Sequence, residues 1–203
     1  MREPPASLPD QSPLVRHASR GALPIAPQPF SARRLSYAAL LMAAGLTGAY
    51  AETIPNFEVL TLVVFCAGVL LGVRDGILTG AVTMLVYSLL NPYGAAPPLI
   101  TLAQVAGEAA AGAAGGVLAA AGLAAFPPAP RALGLAISAV LLTLFFDLVT
   151  NLATGYLMGQ VRIALLGGIP FSLWHIWWNV ALFAGVGTPL VGALSHYRSR
   201  LSS

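Results

Sequence analysis

Between Leu35 and Leu194 the chain carries an Asp, Glu, Lys or Arg only at Glu52, Glu58, Arg74, Asp75, Glu108, Arg131, Asp147 and Arg162. The uncharged stretches between these positions are too long and too apolar to be covered by polar surface of their own. Over the whole chain 8% of residues are charged and 57% hydrophobic, against about 25% charged in an ordinary soluble domain. A polytopic membrane protein follows, and a soluble enzyme or nucleic-acid-binding protein does not. Backbone polar groups in lipid must be satisfied within a segment, so glycine-rich and alanine-rich runs of this length read as helices. The fold class is therefore all-α.

The interruptions divide the apolar sequence into six expected spans, at 35–51, 59–71, 76–90, 99–126, 132–157 and 171–194. The second and third fall short of the ~20 residues a crossing needs, so they extend into their flanks, tilt, or form a re-entrant hairpin around Arg74-Asp75. Residues 1–34, with seven prolines among Ser, Gln and Arg, lack apolar periodicity and read as a disordered tail. Residues 195–203 form a short basic end. The expected organisation is thus a tail (1–34), a six-helix domain (35–194) and a second short tail.

Orientation comes from arginine, since the chain has ten arginines and no lysine. With both termini cytoplasmic, Arg2, Arg16, Arg20, Arg33, Arg34, Arg74, Arg131, Arg198 and Arg200 lie inside and only Arg162 outside, as the positive-inside rule requires. This predicts a multi-pass protein of a bacterial or archaeal cytoplasmic membrane, with Asn91-Pro92-Tyr93-Gly94 and a loop over 158–170 outside. A competing parse takes Arg33-Arg34, the apolar run 40–48 and Ala49-Tyr50-Ala51 as a cleaved export signal. Five further apolar segments, where a soluble domain would be expected, weigh against it. Cys66 has no partner for a disulfide within the chain.

Ionisable groups in mid-helix are costly in a bilayer and mark candidate sites. Thr101, Gln104 and Glu108 share one face of the fourth span, and Asp147, Thr150, Asn151 and Thr154 one face of the fifth. The orientation places both stripes in the outer half, level with Trp174, His175, Trp177, Trp178 and Asn179 of the sixth span. Tyr87, Ser88 and Asn91 end the third span at that level, and Asn56 and Glu58 precede the second. Together they predict a pocket open to the outside. Each member also has a plainer role: the tryptophans as an interfacial belt, Asp147 and Asn151 as interhelical glue. His175 lacks a second ligand at metal spacing, so neither a metal nor a cofactor is expected. No GxxxxGK[ST] loop, GxSxG elbow or HExxH pair occurs.

Ile54-Pro55-Asn56-Phe57-Glu58, the glycine-punctuated hairpin from Gly68 through Gly72 and Gly76 to Gly80, and Asn91-Pro92-Tyr93-Gly94 resemble the S components of energy-coupling factor (ECF) transporters. The likeness extends through Gln104, the 112–116 stretch and Phe146-Asp147-Leu148-Val149-Thr150-Asn151. The resemblance implies a six-helix membrane protein that binds a vitamin or its precursor at the outer face and works with a transmembrane coupling subunit and two ATPases. In that family an Ala-x-x-x-Ala pattern on the first helix docks on the coupling subunit, and Ala39 and Ala43 match it. The family's S components topple during transport. A cobalamin, riboflavin or thiamin-like ligand would satisfy the aromatic and amide groups, with a lean to cobalamin from the 55–58 region. A stand-alone secondary transporter or channel coupling ions through Glu108 and Asp147 is the alternative from another class, and an integral-membrane enzyme using those acids is a third.

Overall fold

The computed structural model describes residues 31–51, 57 and 59–201. Most of the expected N-terminal tail lies outside the described residues, as do the candidate site residues Asn56 and Glu58. Regular structure among the described residues is entirely helical: α1 (Ala32–Tyr50), α2 (Leu60–Leu71), α3 (Val73–Leu89), α4 (Pro98–Ala120), α5 (Pro128–Leu157), α6 (Val161–Ala181) and α7 (Thr188–Leu201). A π-helical segment, Leu182–Gly187, joins α6 to α7 without a break. Counting that rod as one element gives six helices, and three are long and apolar enough to cross a membrane: Pro98–Ala120, Pro128–Leu157 and the rod over Val161–Arg198.

α2 is the centre of the bundle. Apolar all round, it is buried at every residue except Val63, as a helix without a polar face must be. Its 12 residues span only about 18 Å at 1.5 Å per residue, short of the ~30 Å hydrocarbon thickness. Phe65 on α2 meets Phe183 of the π segment edge-on, with ring centroids 5.2 Å apart, and both side chains are fully buried. Leu62, Val69, Leu135, Ala139 and Val191 complete this core. A single residue, Gly72, separates α2 from α3, and its φ of 92° lies in the left-handed region that favours glycine.

Glycines bring α2, α3 and α4 together backbone against backbone. A methyl group at Gly68 would overlap the Gly112 carbonyl, one at Gly115 the Phe65 carbonyl, and one at Gly80 the Glu108 carbonyl. This is the close approach that small residues permit between apolar helices. It accounts for the glycine-rich hairpin and the 112–116 stretch in terms of packing.

Arginines fasten one end of the bundle. Arg34 pairs with Asp75 at 2.7 Å and donates to the Leu71 carbonyl, while Arg198 donates to the Val69 carbonyl at 3.2 Å. Both cations thereby sit at the C-terminal end of α2, where the helix dipole favours positive charge. Arg131 donates to Ala124 (2.6 Å), Phe126 (2.8 Å) and Thr188 (3.2 Å), tying the α4–α5 corner to the start of α7.

At the other end the structure corrects an expectation. The segment 158–170, read as an outside loop between the fifth and sixth spans, is helical from Val161 onward, with Pro170 inside α6. Pro and Gly are tolerated within apolar helices whose freed backbone groups find other partners. The turn before α6 is confined to Met158, Gly159 and Gln160, with Gly159 at φ 66°.

Candidate functional site

Two polar rungs join α5 to α6. Thr143 and Asp147 lie one turn apart on α5, and His175 and Asn179 one turn apart on α6, so the pairs stack along the seam. Asn179 Nδ2 donates to Thr143 Oγ1 at 2.9 Å, and His175 Nδ1 lies 3.0 Å from Asp147 Oδ1. Asn179 and His175 are buried, and Asp147 is 16% exposed. Phe146 approaches the His175 ring edge-on at 6.3 Å, over Gly107, where any side chain would strike the Phe146 ring. Asp147 Oδ2, Trp178 Nε1 and Asn179 Oδ1 are buried with no hydrogen-bond partner among the described residues. Buried polar atoms normally have one.

The α5 stripe read from the sequence lines a cleft. Asp147, Thr150, Asn151 and Thr154 form one wall of a cavity of about 450 Å³, closed by Gln160 of the turn and by the first half of α6 through Gly167, Gly168, Phe171 and Ser172. A smaller cavity of about 200 Å³ lies on the other side of Asp147, Asn151 and Ser172, with Leu144, Ile169 and Ile176. The larger volume falls within the range of small-molecule sites. Gly168 gives the Asn151 amide its place, since a Cβ there would be 2.5 Å from Asn151 Nδ2.

The remaining candidates fall into separate groups. Glu108, 1% exposed, accepts a 2.7 Å hydrogen bond from Thr61 on α2, so its carboxylate is engaged with α2 whereas Asp147 is engaged with α6. Gln104 accepts from Ser88 on α3 at 2.9 Å. Tyr87 stacks obliquely on Tyr50 at 5.5 Å. Asn91 accepts from the Tyr93 backbone N–H at 2.9 Å, an Asx turn at the exposed α3–α4 connection. Trp178 meets Phe57 at 4.8 Å and Trp174 at 5.6 Å, both T-shaped, while Trp177 is 64% exposed.

Thr61, Phe57, Thr143, the turn residue Gln160 and the α6 residues Gly167, Phe171 and Ser172 are additions that the sequence reading missed. Thr143 was accessible to it, sitting one turn before Asp147 on the same stripe. The α6 wall was hidden by treating Pro170 as a helix boundary. Ala39 and Ala43 are both exposed on α1. No group of three or more His, Cys, Asp or Glu suited to a metal occurs among the described residues. Comparison with protein-family models, curated proteins and solved structures gives no match to this chain.

Proposed function

We propose that the chain is a membrane-embedded small-molecule-binding subunit, specifically the S component of an ECF-type importer that captures a vitamin or vitamin precursor at the outer face. The observation that carries this reading is the α5–α6 cleft. The four polar residues predicted to share a face line one cavity of ligand size, in a chain with helices long and apolar enough to cross a membrane. Arg34, Arg74, Arg131 and Arg198 belong to the α1 start, the α2–α3 corner, the α5 start and α7, whereas Arg162 follows the α5–α6 turn. Under the positive-inside rule this favours an outer location for the α5–α6 turn and the cleft, with both termini cytoplasmic. With no ATP-binding loop in the sequence, active uptake draws its energy from a coupling subunit and two ATPases, reached through Ala39 and Ala43.

The Asp147–His175 pair favours one second reading, a stand-alone transporter coupled to protons, because paired ionisable groups between membrane helices form proton relays in such proteins. Mass spectrometry of small molecules that copurify with the protein tests the first reading directly. Uptake into cells with and without the ATPases separates the two: dependence on ATPases is expected, and uptake that follows the proton gradient without them would establish the second reading.

A further inference from the structure

The single charge lining the α5–α6 cleft points to the class of its ligand. Of the described residues that line the two cavities, Asp147 alone is charged, and no arginine or lysine accompanies it. Its Oδ1 faces His175 Nδ1, Oδ2 is buried with no hydrogen-bond partner among the described residues, and the side chain keeps 16% of its surface exposed. With Nδ1–H as the donor, the imidazole orients this carboxylate, and in its neutral form adds no positive charge to it. Thr150, next along the same wall, spends its hydroxyl hydrogen on the Phe146 carbonyl at 2.8 Å, so only lone pairs remain to face a ligand. The wall opposite carries Ile163, Ala164 and Phe171 beside the uncharged Gln160 and Ser172. A carboxylate in such surroundings carries a desolvation cost that a paired cation relieves.

We infer that the α5–α6 cleft binds an organic cation: a protonated amine or amidine on a flat or apolar body, its N–H groups donating to Asp147 and the Thr150 oxygen. The inference rests on the reading of the cleft as the ligand site. An anionic ligand would find no arginine or lysine among the described lining residues, and a neutral one would bring no cation to the carboxylate.

Benzamidine, benzamide and benzoate share one ring and differ in charge, which makes them suitable probes. Their affinities are measured by saturation-transfer NMR titration on the full-length protein in detergent at about pH 8, above the ordinary histidine range. Gly167→Trp fills the cleft from a position with no neighbour within 4 Å of an added Cβ, and it separates cleft binding from partition into micelles. Benzamidine should bind in a Gly167→Trp-sensitive manner and outcompete the other two. Asp147→Asn should lower its affinity roughly ten- to a hundredfold, as loss of a charge-assisted hydrogen bond does. Gln160→Arg, at an exposed position that lines the cleft, should lower it by about twofold or more through repulsion while sparing benzamide. Gly167→Trp-sensitive binding in which benzamide or benzoate equals benzamidine, or in which both charge variants leave benzamidine unaffected, overturns the cationic class and keeps the cleft as a site. Absence of any Gly167→Trp-sensitive binding overturns the cleft itself, and the inference with it.

Discussion

Arg34 and Arg198, near the two ends of the described chain, converge on one helix terminus: Arg34 donates to the Leu71 carbonyl and Arg198 to the Val69 carbonyl of α2. The last carbonyls of an α-helix have no partner within it, and α2 is enclosed on all sides by other helices. The two guanidinium groups supply what water would supply at an exposed end. Replacing either Arg34 or Arg198 by Met keeps most of the apolar stem and removes the donors. Each should lower stability by about 1–3 kcal/mol, read as a lower melting temperature of the purified protein. The Arg34 variant should be the worse of the two, because it also frees Asp75. Unchanged melting in both would show that the contacts contribute nothing.

Glycine packing of α4 gives a prediction with an internal control. Gly112→Ala places a methyl against the Gly76 carbonyl, and backbone cannot swing aside as a side chain does. A loss of about 1–3 kcal/mol is expected from overpacking. Gly185→Ala meets nothing within 4 Å and should leave the melting temperature within a few degrees of the parent. Equal behaviour of the two variants would contradict the close approach of α3 and α4.

The orientation is testable across one helix. Ala129 is exposed at the beginning of α5 and Gln160 is exposed just past its end. The 30 residues between the helix ends rise about 45 Å, more than a bilayer core. In a Cys66→Ala background, Gln160→Cys should react with a membrane-impermeant thiol reagent on intact cells, and Ala129→Cys only after the membrane is opened. The reverse pattern would invert the protein and move the cleft to the cytoplasmic side.

The proposed function makes partner docking separable from ligand capture. Ala39→Trp or Ala43→Trp puts a bulky ring on the exposed face of α1, where close helix approach needs small residues. Binding by the isolated protein should persist while uptake in cells expressing the coupling subunit and ATPases falls at least about tenfold; normal uptake would remove Ala39 and Ala43 from the interface.

What the sequence made legible followed from two periodicities and from glycine. The helical class, the shortness of the second and third helices, and the shared face of Asp147, Thr150, Asn151 and Thr154 were all visible as patterns along one strand of text. Partnerships across helices were not. Glu108 and Asp147 look alike in sequence, each an acid in an apolar run, but Gly80 and Thr61 bring Glu108 to α2 and α3 while His175 holds Asp147 to α6. Pro170 misled because its usual meaning, the end of a helix, depends on water being available to freed carbonyls, a condition that fails in an apolar bundle.

The π-helical segment sets the phase of everything after it. His175, Asn179, Phe183, Gly187 and Val191 are all buried at a strict spacing of four. In an uninterrupted α-helix each such step advances about 40° around the axis, so by Val191 the row would have turned roughly 160°, almost to the opposite side. The wider turn over Leu182–Gly187 absorbs the surplus and returns the row to the core, leaving Val186 and Leu190 outside at 48% and 39% exposure. Forcing this segment into regular α-helix with its length unchanged would restore the roughly 160° that it absorbs: Val191 would leave the Phe65 core, and Arg198 would swing away from the Val69 carbonyl that it caps.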